Sequence, residues 1–248
     1  MKKELLLSKL QGFDPEIFAL LQDEIQRQRY MLSLVPNNNA MSPFAHYLEG
    51  SLLANSAFDA QNPNANSTNL EEIAIKRAKK LFGSEHAVVR LGNIGAASRV
   101  VCLALLQPNS RVLSFNLRKA EHCSGLSFTF KNFGIDAKKQ VLDWDEVEQT
   151  ADETKPNMII FSPVSYPRNA NYRRLSEIAR KVGAYLWVDI GQSVGLVAAG
   201  LLPSPVPFAD VVTFPTNDSL HGPDGAIVLS TKEISQKLDE TVINTGHT

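Results

Sequence analysis

The apolar run Tyr185-Leu186-Trp187-Val188 ends on Asp189. A carboxylate at the end of a buried parallel strand stands where open α/β sheets take their ligands, as a counter-ion or acceptor for a bound group. The plainer reading is a carboxylate that only caps the following turn. Asp218 and His221 share the short stretch before Gly222-Pro223, close enough to offer a general base, or to be an ordinary polar turn. Gly92-Asn93-Ile94-Gly95 precedes an apolar helical run. Backbone amides at a helix start near Gly95 attract anions, although a lone glycine-rich turn also serves as a plain strand-to-helix connection. The two cysteines, Cys102 and Cys123, match neither a zinc spacing nor a disulfide framework and read as buried or incidental thiols.

The elements that must position these residues follow from periodicity. Asp14-Pro15 makes a helix start, and Ile17, Leu20, Leu21 and Ile25 form one apolar face through about Tyr30. Ser42-Pro43 starts a second, short helix, and Asn55 to Asn69 is a polar connection. Thr68-Asn69-Leu70-Glu71 has capping-box spacing before Ile73, Ala74, Ala78, Leu81 and Phe82, with Gly83 placed to end that helix. From His86 strands and helices alternate: HAVVRL, the helix GAASRVVCLALLQ, RVLSFN, a helix near Ala120, KKQVLD, a helix from about Asp145, and MIIFS. NYRRLSEIARKVG then crosses over into the strand ending at Asp189; ADVVTF and GAIVLS add strands, and Thr231 caps a last helix. The alternation predicts an α/β fold of three layers, a mainly parallel sheet between helices.

A formal net charge of −1 gives no electrostatic reason to expect nucleic acid or an anionic membrane as partner. The basic run Lys76-Arg77-Ala78-Lys79-Lys80 has Glu72 one turn earlier, the order expected of a solvated, ion-paired helix face. The apolar stretch of the N-terminus is too short for a signal sequence, and no window reaches transmembrane length. A cytoplasmic protein is the expectation.

The segments VDIGQSVGLVAAGLLPSPVPFADVVTF and LHGPDGAIVLS closely resemble the part of serine hydroxymethyltransferases that runs from the cofactor-ring aspartate past the cofactor lysine. EIQRQRYMLSLVPNNNAMSP, EEIAIKRAKKLFGSEHAVV, LALLQP and EIARKVGAYLWVD resemble the same family in the same order. The resemblance implies the large domain of the aspartate-aminotransferase type of fold, pyridoxal phosphate chemistry on glycine and serine, and an active site assembled at a dimer interface. It implies an N-terminal helical arm and interface segment over residues 1–60 and a large α/β domain over 61–248, with the family's C-terminal domain absent.

By this resemblance Asp189 aligns with the partner of the cofactor's ring nitrogen, and His122 with the histidine that stacks on its ring. A surface or helix-capping histidine is the plainer reading of His122. Other positions depart from the family pattern. Asp218 takes the place of the lysine, and no lysine lies between Lys181 and Lys232; a carboxylate cannot hold the cofactor's aldehyde. Asn93-Ile94-Gly95 replaces Ser-Gly-Ser at the phosphate site, removing two hydroxyl donors. Asn38 takes the place of the catalytic glutamate, Gln192 that of a histidine, and Val164 that of a serine. Two readings follow. One is a catalytically inactive relative that acts by association, as a scaffold or partner subunit in a homo- or hetero-oligomer. The other binds pyridoxal or pyridoxamine phosphate non-covalently, or another small anion, through Asp189 and His122, with no cofactor held covalently.

Overall fold

The structure is a computed structural model and describes residues 3–35, 38–55, 66–115, 128–164 and 166–246. His122, Cys123 and the expected helix near Ala120 lie outside the described residues, as does most of the Asn55–Asn69 connection. The chain forms two compact units, residues 1–38 and 39–248. The first contains α1 (Lys3–Phe13) and α2 (Pro15–Tyr30). Asp14 accepts the Ile17 amide through its side chain, with Pro15 in the first turn, so the Asp-Pro start forms as its chemistry requires. No described residue of α2 is buried.

The second unit opens with α3 (Pro43–Glu49), capped by Ser42, whose side chain accepts the Phe44 amide. Next come α4 (Asn66–Phe82), β1 (His86–Leu91), α5 (Ile94–Leu105), β2 (Arg111–Phe115), β3 (Thr129–Phe133), β4 (Ile135–Asp136), β5 (Val141–Leu142), α6 (Trp144–Thr154) and β6 (Met158–Phe161). The chain then runs through α7 (Tyr172–Val182), β7 (Tyr185–Asp189), α8 (Val194–Ala198), β8 (Val211–Pro215), β9 (Ala226–Ser230) and α9 (Lys232–Asn244). Seven strands form one sheet in the order β1-β9-β8-β7-β6-β2-β3. β9 runs antiparallel to both its neighbours, and the pairings from β8 to β3 are all parallel. The expected three-layer, mainly parallel architecture is therefore the one found.

The two faces of the sheet have separate cores. Val88, Val112, Ile160, Trp187 and Val211 pack with α5 and α9, while Leu113, Phe161, Leu186, Val188 and Phe214 pack with α4, α6 and α7. β6 and β7 are buried on both faces, which is why they read as continuous apolar runs and not as alternation. Trp187 can be fully buried because its indole N–H donates to Thr213 Oγ1 at 2.9 Å.

Four local expectations are corrected. α4 begins at Asn66, ahead of Thr68, and Glu71 accepts from Arg90 Nε on β1 in place of closing a capping box. KKQVLD does not enter the large sheet: Val141–Leu142 pairs with Ile135–Asp136 in a separate two-stranded ribbon, and the edge strand is β3. β3 carries no readable period because only Phe133 of its five residues is buried. Thr231 stands at the N-cap of α9 without a side-chain bond, and Glu85 Oε2 accepts the Lys232 amide at 2.7 Å in its place. Cys102, read as a buried or incidental thiol, is buried in α5 but is disulfide-bonded and so no thiol. Among the described residues, no helix is long and apolar enough to cross a membrane.

Candidate functional site

Because β6, β7 and β8 are parallel, their carboxyl ends meet at one edge of the sheet, the edge where such sheets take ligands. Asp189 closes β7 there and is 8% exposed. Its Oδ1 accepts the Gly191 amide at 2.8 Å. Glycine suits that turn, since a Cβ at position 191 would stand 3.1 Å from Pro215 Cδ and 3.2 Å from Asp189 Oδ1 and would press both. Alternation along β7 puts Asp189 on the face of Trp187, the face covered by α5.

Ser162 was not singled out by the sequence. It follows Phe161, which pairs with Val188, so continuing the register by one residue sets Ser162 beside Asp189 on the same face. Its hydroxyl is buried and has no hydrogen-bond partner among the described residues. A signal existed in its position at the carboxyl end of an all-apolar strand, the argument that selected Asp189.

The loop from β8 to β9 brings in Asp218, which is 5% exposed. Its carboxylate makes no hydrogen bond among the described residues, and burial, followed by the nearby charge of Asp224, pushes its pKa above the ordinary aspartate value. The loop around it is fixed on several sides. Gly195 on α8 donates to Ser219 Oγ at 3.0 Å, the Gly222 amide to Thr216 O at 2.9 Å, and Thr216 Oγ1 to Pro223 O at 2.6 Å. Asn217 Nδ2 donates to Asp224 Oδ1. A Cβ at position 222 would come within 2.8 Å of Thr216 O, so this turn requires glycine.

His221 is exposed, with φ of 58°, a left-handed conformation that a side chain makes costly. Its Nδ1 lies 2.7 Å from the Ala40 carbonyl, and its Nε2 lies 3.3 Å from Asn39 Nδ2. A carbonyl only accepts, so the ring proton sits on Nδ1 and the Nε2 lone pair accepts from the Asn39 amide. The lone pair a general base needs is thereby engaged. Asn39 Nδ2 also donates to Asp218 O at 2.9 Å, and the Ser42 amide to His221 O at 3.0 Å, so the segment after Asn38 is stitched to the Asp218 loop. Nothing in the sequence marked Asn39 apart from its neighbouring asparagines. Asn38 belongs to the first unit, where its side-chain amide donates to Ser33 Oγ at 2.9 Å.

Asn93 is the N-cap of α5, and its Oδ1 accepts the Ala96 amide at 2.9 Å. A Cβ on Gly95 would press to 3.2 Å from that same oxygen. The helix start is therefore partly closed on itself, with its own side chain on an amide that an anion would otherwise take. Val164 and Gln192 are exposed. Among the described residues no group of His, Cys, Asp and Glu could hold a metal ion.

For a cofactor with a protonated ring nitrogen, Asp189 fits, as a buried carboxylate at the ligand edge, and Ser162 adds a buried hydroxyl without a partner just past the end of the neighbouring strand. For a cofactor anchored through its aldehyde, the Asp218 loop does not fit.

A family model described as serine hydroxymethyltransferase matches residues 10–246. The serine hydroxymethyltransferase of Coprothermobacter proteolyticus is 39% identical over 244 residues, covering 92% of this chain and 59% of that protein. The probable serine hydroxymethyltransferase of Rickettsia bellii is 36% identical over 250 residues, 95% of this chain and 60% of its own length. That of Methanosarcina barkeri is 34% identical over 251 residues, 95% and 61%. The chain thus spans about three fifths of the length of these curated relatives.

Proposed function

The chain belongs to the serine hydroxymethyltransferase family, and from that premise we propose that it is an inactive member, without the transferase reaction, that works by association with a second copy or another chain. The observation that carries the first half is Asp218, a buried carboxylate at the position the resemblance gives to the lysine. Pyridoxal phosphate supplies its family with an electron sink for carbanions, but only once an amine holds its aldehyde. No lysine between Lys181 and Lys232 can take that role locally.

Apolar side chains left outside support association. In the first unit Ile17, Leu20, Leu21 and Ile25 of α2 are exposed; in the second, Phe44, Tyr47 and Leu48 of α3 are exposed. Apolar surface grouped on helix faces usually marks a binding site, and a two-fold pair is the commonest solution for identical chains. Titration with pyridoxal phosphate, followed by borohydride, tests the first half: no saturable visible band fixed to a lysine is expected, and such a band would overturn it. Sedimentation at micromolar concentration tests the second, with an assembly expected; a monomer that captures no partner from its native extract would sink it.

A second reading is favoured by Ser162, Asp189 and Asp218 together: an edge that holds a small ligand non-covalently. A chain kept only for association has no need of a buried hydroxyl without a partner, as that of Ser162 is.

A further inference from the structure

The large sheet ends on β3, which among the described residues pairs only with β2. Its register with β2 decides where each backbone group points. The Thr129 amide donates to Ser110 O at 3.0 Å. In a parallel ladder Thr129, Lys131 and Phe133 therefore turn their N–H and C=O toward β2, while Phe130 and Asn132 turn theirs away from the sheet. Thr129 to Asn132 are all exposed, and Phe130 keeps 40% of its surface outside. Phe130 lies on the opposite face from the buried ring of Phe133, so a change at the edge leaves that ring in the core.

A row of unpaired backbone groups is a template for a further strand, and proteins blunt such edges with proline, bulges or charge. β3 has no proline and runs against β2 without a bulge; its one charge is Lys131. That charge selects among the ways two copies can meet about a two-fold axis. A register centred on Lys131 sets the lysine against itself, like charge on like. A register centred on Asn132 puts Phe130 opposite Gly134, where there is no side chain to pack on. Centred on Phe130, the two rings meet across the axis, Lys131 stands opposite Thr129, and Asn132 stands opposite Phe128. In this register the residues that exchange backbone hydrogen bonds are the ones whose groups point outward, Phe130 with its counterpart and Asn132 with Phe128. An aromatic pair directly across antiparallel strands adds to the backbone pairing.

We propose that the chain pairs with a second copy through the free edge of β3, antiparallel and centred on Phe130, so that one sheet runs through both copies. The inference rests on the association half of the proposed function and gives it a second contact, made by residues other than those of α3. A few residues of strand edge form a small contact, below the roughly 1,000 Å² of a stable interface, so the pairing strengthens with protein concentration and is weak at low concentration.

Amide exchange of the full chain, read residue by residue at low and at high protein concentration alongside sedimentation, tests this. The outward amides of Phe130 and Asn132 exchange freely on an open edge, and pairing should slow both by about tenfold at the high concentration. Asn132→Pro removes an outward donor but no bond to β2, the one kind of strand position where proline is tolerated. It should keep the parent's melting temperature and abolish the concentration-dependent protection at Phe130. Phe130→Lys sets like charge on like at the axis while leaving the backbone unaltered, and should abolish the protection at Asn132 even if the proline variant fails to fold. A chain that stays monomeric at both concentrations would overturn this proposal and the association reading alike. An assembly in which Phe130 and Asn132 exchange equally fast at both concentrations would overturn the β3 contact alone, and so would folded variants that keep the protection.

Discussion

Asn39 and His221, 182 residues apart in the chain, meet side chain to side chain at 3.3 Å. One hydrogen of the Asn39 amide goes to the Asp218 carbonyl and the other to His221 Nε2, while His221 Nδ1 donates to Ala40 O. The contact fixes the tautomer of the histidine and the path of the loop that carries Asp218. It also explains why a histidine tolerates the left-handed conformation at φ of 58°: local strain persists where surrounding bonds over-determine it.

This relationship separates two substitutions that would otherwise look alike. His221→Ala loses both ring bonds and keeps a Cβ in the left-handed region, so it should destabilise the chain by about 2 kcal/mol. His221→Gly loses the same bonds but relieves the backbone, and should cost only about 1 kcal/mol. Urea unfolding of the pair measures the difference, and amide exchange at Gly222 should quicken in both. Variants as stable as the parent chain would show that the clasp holds nothing.

Burial raises the Asp218 pKa, and the charge of Asp224 adds to the shift. A carboxyl whose pKa is higher folded than unfolded binds its proton more tightly in the folded state, so it costs stability above its folded pKa. The cost fades as pH falls through that value toward the ordinary 3.8 of the unfolded chain. Asp218→Asn should therefore stabilise the chain at neutral pH, by about 1 kcal/mol, with the advantage shrinking as the solution is acidified. Melting both proteins across the acid range checks this; an advantage that grew on acidification would reverse the sign and remove the argument for a buried, unpaired charge.

What the sequence made legible was whatever is local and periodic. Asp14-Pro15 and Ser42-Pro43 announce their helices because the cap and the fixed proline φ act within a few residues. β6 and β7 announce themselves as apolar runs because both faces are covered. β3 stayed hidden, since four of its five residues face outward and its place at the sheet edge is set by pairing with β2 and not by its own pattern. The position of Asp189 at the end of β7 was legible from the apolar run before it. Ser162 needed the β6–β7 register to set it beside Asp189, and the clasp of Asn39 on His221 joins residues too distant for any spacing rule.

The apolar face of α3 offers the sharpest test of association. Phe44, Tyr47 and Leu48 fall three and four residues apart and so share one side of the helix; all three are exposed, Phe44 to 81%. Phe44 is mostly exposed and Leu48 about half exposed, so replacing both by aspartate should change the stability of an isolated monomer by only about 1 kcal/mol. In an assembly closed through this face, each copy would instead bring two unpaired carboxylates into an apolar interface. That is costly enough to shift the pair to monomer at micromolar concentration. Sedimentation of the parent chain and the double variant, Phe44→Asp with Leu48→Asp, reads both outcomes. Assembly of the parent and dissociation of the variant are expected, and a variant that assembles as tightly as the parent would move the interface away from α3.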